Sequence, residues 1–370
     1  MIIVGMSGGV DSSVSAYLLK QQGHDLRGVF MKNWEEEESG LCRAEDDRKD
    51  ALRVCATLGI PFASRNFAQV YKEQVFEEFL QGYAKGWTPN PDILCNREVK
   101  FKVFLEDALS QGADHIATGH YVRREKVGGE WALLRGKDPK KDQSYFLHAI
   151  SQDALSRSLF PIGHLEKSDV RKYAEQAGLV TARKKDSTGI CFIGEQDFKT
   201  FLKRFLPAQP GEIVNQKGEV LGMHQGALYY TVGQRAPVGG VKGGSAEPWF
   251  VVEKDVQTNR LRVVQGDHDA LWATEVITAP MSWVGSIPAG QTFEGEAQIR
   301  HLGQPEPASF QVLSNGELLV KFKRPVRAVA IGQSLVVYQG DRCFGGAVME
   351  TVVPKAVIDW ESKRSKKLTR

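Results

Sequence analysis

The chain has 370 residues, of which 42% are hydrophobic, 25% charged and 9% aromatic. That excludes a small disulfide-stapled module and disorder over most of the length, and it leaves apolar material for two or three cores. No apolar run reaches the roughly 20 residues of a membrane-spanning helix, and Met1 leads directly into Ile2, Ile3 and Val4 without a basic n-region or a cleavage site, so a cytoplasmic protein with no membrane partner is expected. The net charge of +3 excludes a histone-like polycation, but it averages an acidic start, with 10 acids against 6 bases in residues 1–50, and a basic end.

In chain order, residues 2–6 read as a buried strand, followed by a glycine turn and a helix over 11–22 that Gly23 stops. Strands are expected at 26–31, 62–66 and 115–118, with helices at 43–58, 69–85 and 99–111 between them. This βαβ rhythm implies a parallel sheet covered by helices. Residues 121–126 and 131–135, separated by Gly128 and Gly129, read as a hairpin inserted into the α/β unit. Helical patterns return at 151–159, 168–177 and 197–205, and 206–211 reads as a linker. From 211 to 359 short β-rich runs alternate with Gly, Pro, Asn and Asp, which fits one or two small β domains with a boundary near Leu271 and Trp272. The basic tail beyond residue 362 is expected to fray.

Ser7-Gly8-Gly9-Val10-Asp11-Ser12-Ser13 follows the first strand and opens the first helix. Two glycines let the backbone turn its N–H groups onto an anion, the hydroxyls of Ser7, Ser12 and Ser13 add donors, and the helix start favours negative charge. Asp11 fits a magnesium ion or an N-cap role. The lysine of a Walker A loop is absent.

The five cysteines are Cys42, Cys55, Cys95, Cys191 and Cys343, an odd count with no CxxC pair. Cys95, just before the expected helix at 99–111 and near Arg97 and Lys100, has a setting that favours a thiolate. Cys191 lies in the polar run Asp186-Ser187-Thr188-Gly189-Ile190-Cys191-Phe192-Ile193-Gly194, preceded by Arg183-Lys184-Lys185. The other three match no functional pattern and read as structural. Trp34 reads as a clamp or as packing, Glu35 to Glu38 as a solvated loop, and His115 and His148 as satisfied core histidines. His120, after Gly119 at a strand end, is a better ligand candidate.

Ser-Gly-Gly-x-Asp-Ser after an N-terminal strand resembles the PP-loop of ATP pyrophosphatases, and a nucleotide-activating loop with two cysteines in polar, cation-rich loops points to sulfur chemistry on an adenylated carbonyl. GMSGGVDSS, MKNWEEEE, NPDILCN, ATGHY, KDQSYFL, DSTGICFIG, FLPAQPGEI and YYTVGQR, in this order along nearly the whole chain, resemble the tRNA-specific 2-thiouridylase (MnmA) family. The resemblance implies an α/β fold, with a PP-loop catalytic domain over 1–205 resembling adenine nucleotide α-hydrolases, a β-rich central domain over 206–271, a C-terminal β-barrel that binds tRNA over 272–362 and a tail over 363–370. It implies ATP and Mg2+ as cofactors, with tRNA and a sulfur-donor protein as partners. Gly5, Met6, Ser7, Gly8, Gly9, Val10, Asp11 and Ser12 would hold ATP phosphates, with Met31 and Gly119 flanking the adenosine. Asn90, Pro91 and Asp92 would meet the target base. His120, Lys141, Asp142, Gln143, Arg300, His301 and Gln333 would contact tRNA. Cys95 and Cys191 match the catalytic pair, one as nucleophile or disulfide partner and the other as persulfide carrier, with Asp92 as acid or base. The chain departs from the family at Ala236-Pro237, where Lys-Gly is usual, at His301-Leu302 within an Arg-Tyr-Arg pattern, and at Ile331, where proline is usual.

Two other classes compete. A PP-loop amide ligase would need neither cysteine, and an RNA-binding protein with a vestigial loop would release no pyrophosphate. An iron–sulfur sulfur carrier is disfavoured by only two well-placed cysteines. A basic stripe joining Lys321, Lys323, Arg324 and Arg327 to Lys137, Lys140, Lys141 and residues 183–185 is expected to cradle an anticodon stem.

Overall fold

The computed structural model describes residues 1–35, 43–186, 198–239, 247–287, 291–358 and 360. Its N-terminal half is a five-stranded parallel sheet in the order β3-β2-β1-β4-β7, where β1 is Ile2–Met6, β2 Leu26–Lys32, β3 Phe62–Asn66, β4 His115–Ala117 and β7 Ser158–Leu159. Strand side chains alternate between faces. Ile2, Val4 and Met6 therefore pack with α1 (Val10–Gln21), α2 (Arg43–Leu58) and, further along the chain, α8 (Lys167–Gln176), while Ile3 packs under the helices of the opposite face. A strand covered on both sides needs a continuous apolar run, and all five residues of β1 are buried.

The opposite face carries two long helices that each change pitch. The first runs through α3 (Ala68–Tyr71), a π-helical stretch Lys72–Phe76 and α4 (Glu77–Ala84); the second through α5 (Pro91–Leu94), a π-helical stretch Cys95–Val103 and α6 (Phe104–Ser110). The second helix was expected at 99–111 and begins eight residues earlier. Asn90 is its N-cap, accepting from Asp92 N at 3.0 Å, and Pro91 occupies the first turn, where its missing N–H costs nothing. The helix expected at 151–159 is instead shorter: α7 (Gln152–Ser156) gives way to β7, whose two residues complete the sheet.

The hairpin β5 (Val122–Val127) and β6 (Glu130–Arg135) leaves this sheet and joins the C-terminal one, where Leu134 and Leu133 pair with Arg342 and Cys343. After α9 (Phe198–Phe205), β8 (Gly211–Asn215), β9 (Val220–His224), β10 (Trp249–Asp255) and β11 (Arg260–Gln265) form a small sheet in the order β10-β11-β8-β9, with β11 and β8 parallel. Its base is an aromatic cluster in which Phe76 meets Phe205 at 4.8 Å and Phe201 at 6.0 Å.

The remaining strands are β12 (Trp272–Thr278), the two-residue β13 (Ser282–Trp283), β14 (Thr292–Gln298), β15 (Glu306–Val312), β16 (Leu318–Arg327), β17 (Ser334–Gln339) and β18 (Arg342–Pro354). Because β12 pairs with both β16 and β18, β12-β16-β15-β14-β17-β18 closes into a six-stranded antiparallel barrel with no free edge. Val276, Phe310, Val320, Leu335 and Met349 fill it.

Candidate active site

In a parallel sheet, ligands collect beyond the strand C-termini where the strand order reverses. Here that point lies between β1 and β4, and the loops after both meet there. A Cβ on Gly119 would lie 2.7 Å from Ser12 N, so the β4 loop lies against the start of α1. Gly8 has φ +73°, and a Cβ on it would lie 2.2 Å from Asp47 O. Only glycine makes this turn under α2.

The serines build the loop. Ser7 N donates to Ser12 Oγ at 3.1 Å, the Ser7 and Ser12 hydroxyls are 3.1 Å apart, and Ser12 Oγ donates to Gly9 O at 3.2 Å. Ser13 was expected to offer its hydroxyl to an anion. It is fully buried and donates instead to Gly9 O at 2.7 Å. The N–H groups of Val10, Asp11 and Ser12 lie in the first turn, where a helix has no carbonyl of its own to accept them. Gly5 completes the floor: a Cβ there would lie 3.2 Å from Met31 Cε and 3.4 Å from the Phe104 ring, which belongs to the helix that carries Cys95.

Asp11 is not the N-cap, a position that Gly9 fills. Lys167 Nζ donates to both Asp11 oxygens at 2.8 and 2.9 Å, and Tyr121 OH donates to Oδ1 at 2.7 Å. With both oxygens taken, Asp11 does not suit a resident magnesium ion, and among the described residues no group of three or more His, Cys, Asp or Glu would hold one.

Lys167 also meets Asp186 Oδ1 at 2.8 Å, and Asp186 accepts from Lys141 Nζ at 2.6 Å and Arg171 Nη2 at 2.7 Å. Burial raises the Asp186 carboxyl, but the hydrogen bonds from Lys141 and Lys167 outweigh it and bring it down to about 2. Lys184 Nζ reaches Gly8 O at 2.9 Å while pairing with Asp47 and Asp50, both at 2.7 Å. Lys167, Lys184, Asp186 and Tyr121 are thus parts of the site that the sequence reading missed. Lys167 has no motif around it, whereas the Arg183-Lys184-Lys185 run gives a signal, read as the basic neighbourhood of Cys191 and as part of the expected tRNA-facing stripe. Asp186 is the last described residue before the segment bearing Cys191, which lies outside the described residues, as do Cys42 and the basic tail.

Cys95 lies one turn inside its helix rather than ahead of it, and it is 2% exposed. The nearby Arg97 pairs with Glu98 at 2.6 Å. Both facts weaken the setting expected to favour a thiolate. Asp92, one turn upstream, is partly buried, and burial raises its carboxyl against the opposing charge of Lys100. His120 is buried between Phe101 and Phe160 with Nδ1 2.8 Å from Thr118 Oγ1, and burial holds its ring well below the usual histidine range.

Three family models match in succession: a tRNA methyl transferase HUP domain over residues 1–195, a tRNA methyl transferase PRC-barrel domain over 199–265 and an aminomethyltransferase β-barrel domain over 273–349. The chain is 52% identical over 367 residues to the tRNA-specific 2-thiouridylase MnmA of Idiomarina loihiensis, covering 98% of each chain. It belongs to the tRNA-specific 2-thiouridylase family. The Bacillus subtilis relative of that name is 51% identical, covering 97% of each chain, and the Stenotrophomonas maltophilia K279a relative 54%, covering 94% of this chain and 93% of the other. Among solved structures, the U34-tRNA thiolase NcsA from Methanococcus maripaludis covers 56% of the chain at TM-score 0.34 and 17% identity, a likeness too loose to bear on function.

The residues expected from the thiouridylase resemblance to touch tRNA fall into two groups. Arg300 is exposed. His301 packs at a tilt against Phe146 with ring centroids 4.3 Å apart, and the Phe146 carbonyl accepts from Asn96, the residue after Cys95. Phe146 therefore links the barrel's His301 to the Cys95 helix. The others are engaged internally. The Asp142 carboxylate is buried and accepts from Gly136 N, Ser144 N, Ser144 Oγ and Arg135. Gln143 Oε1 accepts from Tyr121 N, and Gln333 Nε2 donates to Thr88 O at 2.5 Å.

Two lesser expectations also change, and the open choice at Trp34 falls to packing. Lys321, Lys323, Arg324 and Arg327 each pair at the surface with an acid (Glu275, Glu294, Glu306 and Asp267), so this run carries its own counter-charges. His148 is buried but not satisfied: neither ring nitrogen has a hydrogen-bond partner among the described residues, and burial lowers it to about 4. Trp34 packs edge-on against Tyr71 and Phe76.

Proposed function

We propose that the protein carries out ATP-dependent 2-thiolation of the wobble uridine, position 34, in the tRNAs for Lys, Glu and Gln, in the cytoplasm. The observation that carries this reading is the Lys167 bridge. One ammonium joins Asp11 of the phosphate loop to Asp186, the root of the Cys191 segment, so the nucleotide loop and the sulfur-bearing segment share an anchor.

In this reading the uridine 2-oxygen attacks the α-phosphorus of ATP and pyrophosphate leaves. The amides of Gly8 to Ser12 face the departing charge, and the helix start behind them favours it. Gly5, Met6 and Met31 form the floor, with Gly119 on the far side. Asn90, Pro91 and Asp92 receive the base, and Asp92, its carboxyl raised by burial, exchanges the proton. The terminal sulfur of a Cys191 persulfide, loaded by a donor protein, attacks C2. The C2–O bond to AMP breaks, and Cys95 Sγ closes a disulfide with Cys191 as the sulfur is released. RNA is held by Arg300, His301 and the exposed Lys137, Lys140, Arg183 and Lys185, while Lys141, Asp142, Gln143, His120 and Gln333 shape the surface from behind.

The test is a reconstituted assay with tRNA, ATP and a persulfide source. Wild type should release pyrophosphate only with tRNA and form 2-thiouridine, whereas Cys191→Ser should retain pyrophosphate release and form none. Full thiolation by Cys191→Ser would overturn the sulfur route.

A further inference from the structure

Trp87 and Thr88, three and two residues before the Asn90 cap, are held by the two downstream domains. From the barrel, Ile331 O accepts from Thr88 N at 3.0 Å and Gln333 Nε2 donates to Thr88 O. From the central sheet, Lys254 Nζ donates to Trp87 O at 3.0 Å and Thr88 Oγ1 at 3.2 Å, and Thr231 Oγ1 lies 3.4 Å from Thr88 Oγ1. The fit leaves no slack. Gly332 has φ +90°, and a Cβ on it would come within 2.6 Å of Thr88 N and Trp87 Cβ; a Cβ on Gly82 would come within 2.9 Å of Pro89.

Lys254 is the unexpected member of this junction. Its neighbours Glu253 and Asp255 face Arg262. Its ammonium donates to neutral oxygens, with the Tyr83 ring 5.8 Å away, and no ion-pair partner for it is found among the described residues. Burial lowers it to about 8. An ammonium withdrawn from water without a counter-charge costs stability, and an apolar side chain of similar length would fill the space at less cost. Stability therefore does not account for a lysine here. Its geometric effect does: it grips the Trp87 carbonyl and the Thr88 hydroxyl, three and two residues before the cap of the helix that carries Asp92 and Cys95.

We propose that Lys254 is a positioning residue. By holding the Trp87 carbonyl and the Thr88 hydroxyl while Ile331 and Gln333 hold the Thr88 backbone, it sets the start of the Asp92–Cys95 helix relative to the two β domains. The inference rests on the thiouridylase reading for its kinetic test and on the contacts alone for its structural one. A small misplacement of reacting groups costs up to about 100-fold in rate. Lys254→Met is therefore expected to lower kcat for tRNA thiolation by about tenfold or more, with KM for tRNA within about twofold and thermal stability no lower than wild type. Lys254→Arg, which keeps a donor, should restore most of kcat. Thr88→Val, which removes the hydroxyl acceptor with little change of shape, should shift kcat in the same direction and serves if Lys254→Met fails to fold.

Wild-type kcat in Lys254→Met, or a kcat loss matched by lost stability and not rescued by arginine, would overturn the proposal. Hydrogen exchange over residues 87–95 separates the two readings. Faster exchange in Lys254→Met is expected even if wild type proves not to thiolate tRNA, and unchanged exchange would remove the strut while leaving the function standing.

Discussion

Asp186→Asn isolates the charge at the anchor between the phosphate loop and the Cys191 segment. The side chain is 28% exposed and accepts from Lys141, Lys167 and Arg171. Its carboxyl, brought from an ordinary 3.8 to about 2 by the Lys141 and Lys167 hydrogen bonds against the opposing effect of burial, binds its proton less readily folded than unfolded. A depressed carboxyl stabilises the fold above its unfolded pKa, and that stabilisation is lost as pH falls toward the folded value. At about 1.36 kcal/mol per unit the shift corresponds to at most about 2.5 kcal/mol, and solvent screening brings this to roughly 1–2 kcal/mol. Asparagine keeps the shape and removes the charge. Denaturant unfolding of both proteins from pH 7 to pH 3 should show Asp186→Asn less stable by about that amount down to about pH 5, with the gap roughly halved by pH 3. Equal stability at pH 7, or a gap that stays constant to pH 3, would refute the electrostatic account of this anchor.

Other outcomes follow from the same geometry. Gly8→Ala places a Cβ against Asp47 O at positive φ, at about 1–2 kcal/mol for the backbone and a similar amount for overpacking; it should lower the melting temperature and abolish the shift on adding ATP, and an unchanged ATP shift would count against the loop. Burial pushes the Cys55 and Cys343 thiols up to about 11 and 12, so mass spectrometry after iodoacetamide treatment at pH 8 should find both unmodified in native protein and modified in urea. Because the bases of β16 are already paired, alanine at Lys321 and Lys323 should change tRNA affinity less than about twofold and leave its salt slope unaltered, whereas losing two free phosphate contacts would flatten the slope by nearly two.

Much of the fold was legible because periodicity is local. The run Ile2 to Met6, the glycine turn and the Asp11 helix follow from the order of residue types alone. The closed barrel was legible only as a β-rich stretch, since closure depends on β12 pairing with β18 some 75 residues away. The start of the Cys95 helix was misplaced because Asn-Pro-Asp reads equally as a loop or as a cap followed by proline. At the site, the phosphate loop was visible because its chemistry requires contiguous glycines and serines. Lys167 was not, because a lysine that joins two carboxylates across the fold has no sequence pattern of its own. The paired bases of β16 show the converse: their acids come from β12, β14, the start of β15 and the turn after β11, so a run that looks unbalanced in sequence is balanced in space.

The central claim is that this chain puts sulfur on tRNA, and the most direct measurement is nucleoside analysis of tRNA from cells lacking it. Lys, Glu and Gln tRNAs should lose 2-thiouridine at position 34 and regain it on complementation with wild type but not with Cys191→Ser. Retention of 2-thiouridine in all three tRNAs in the absence of the protein would contradict the account.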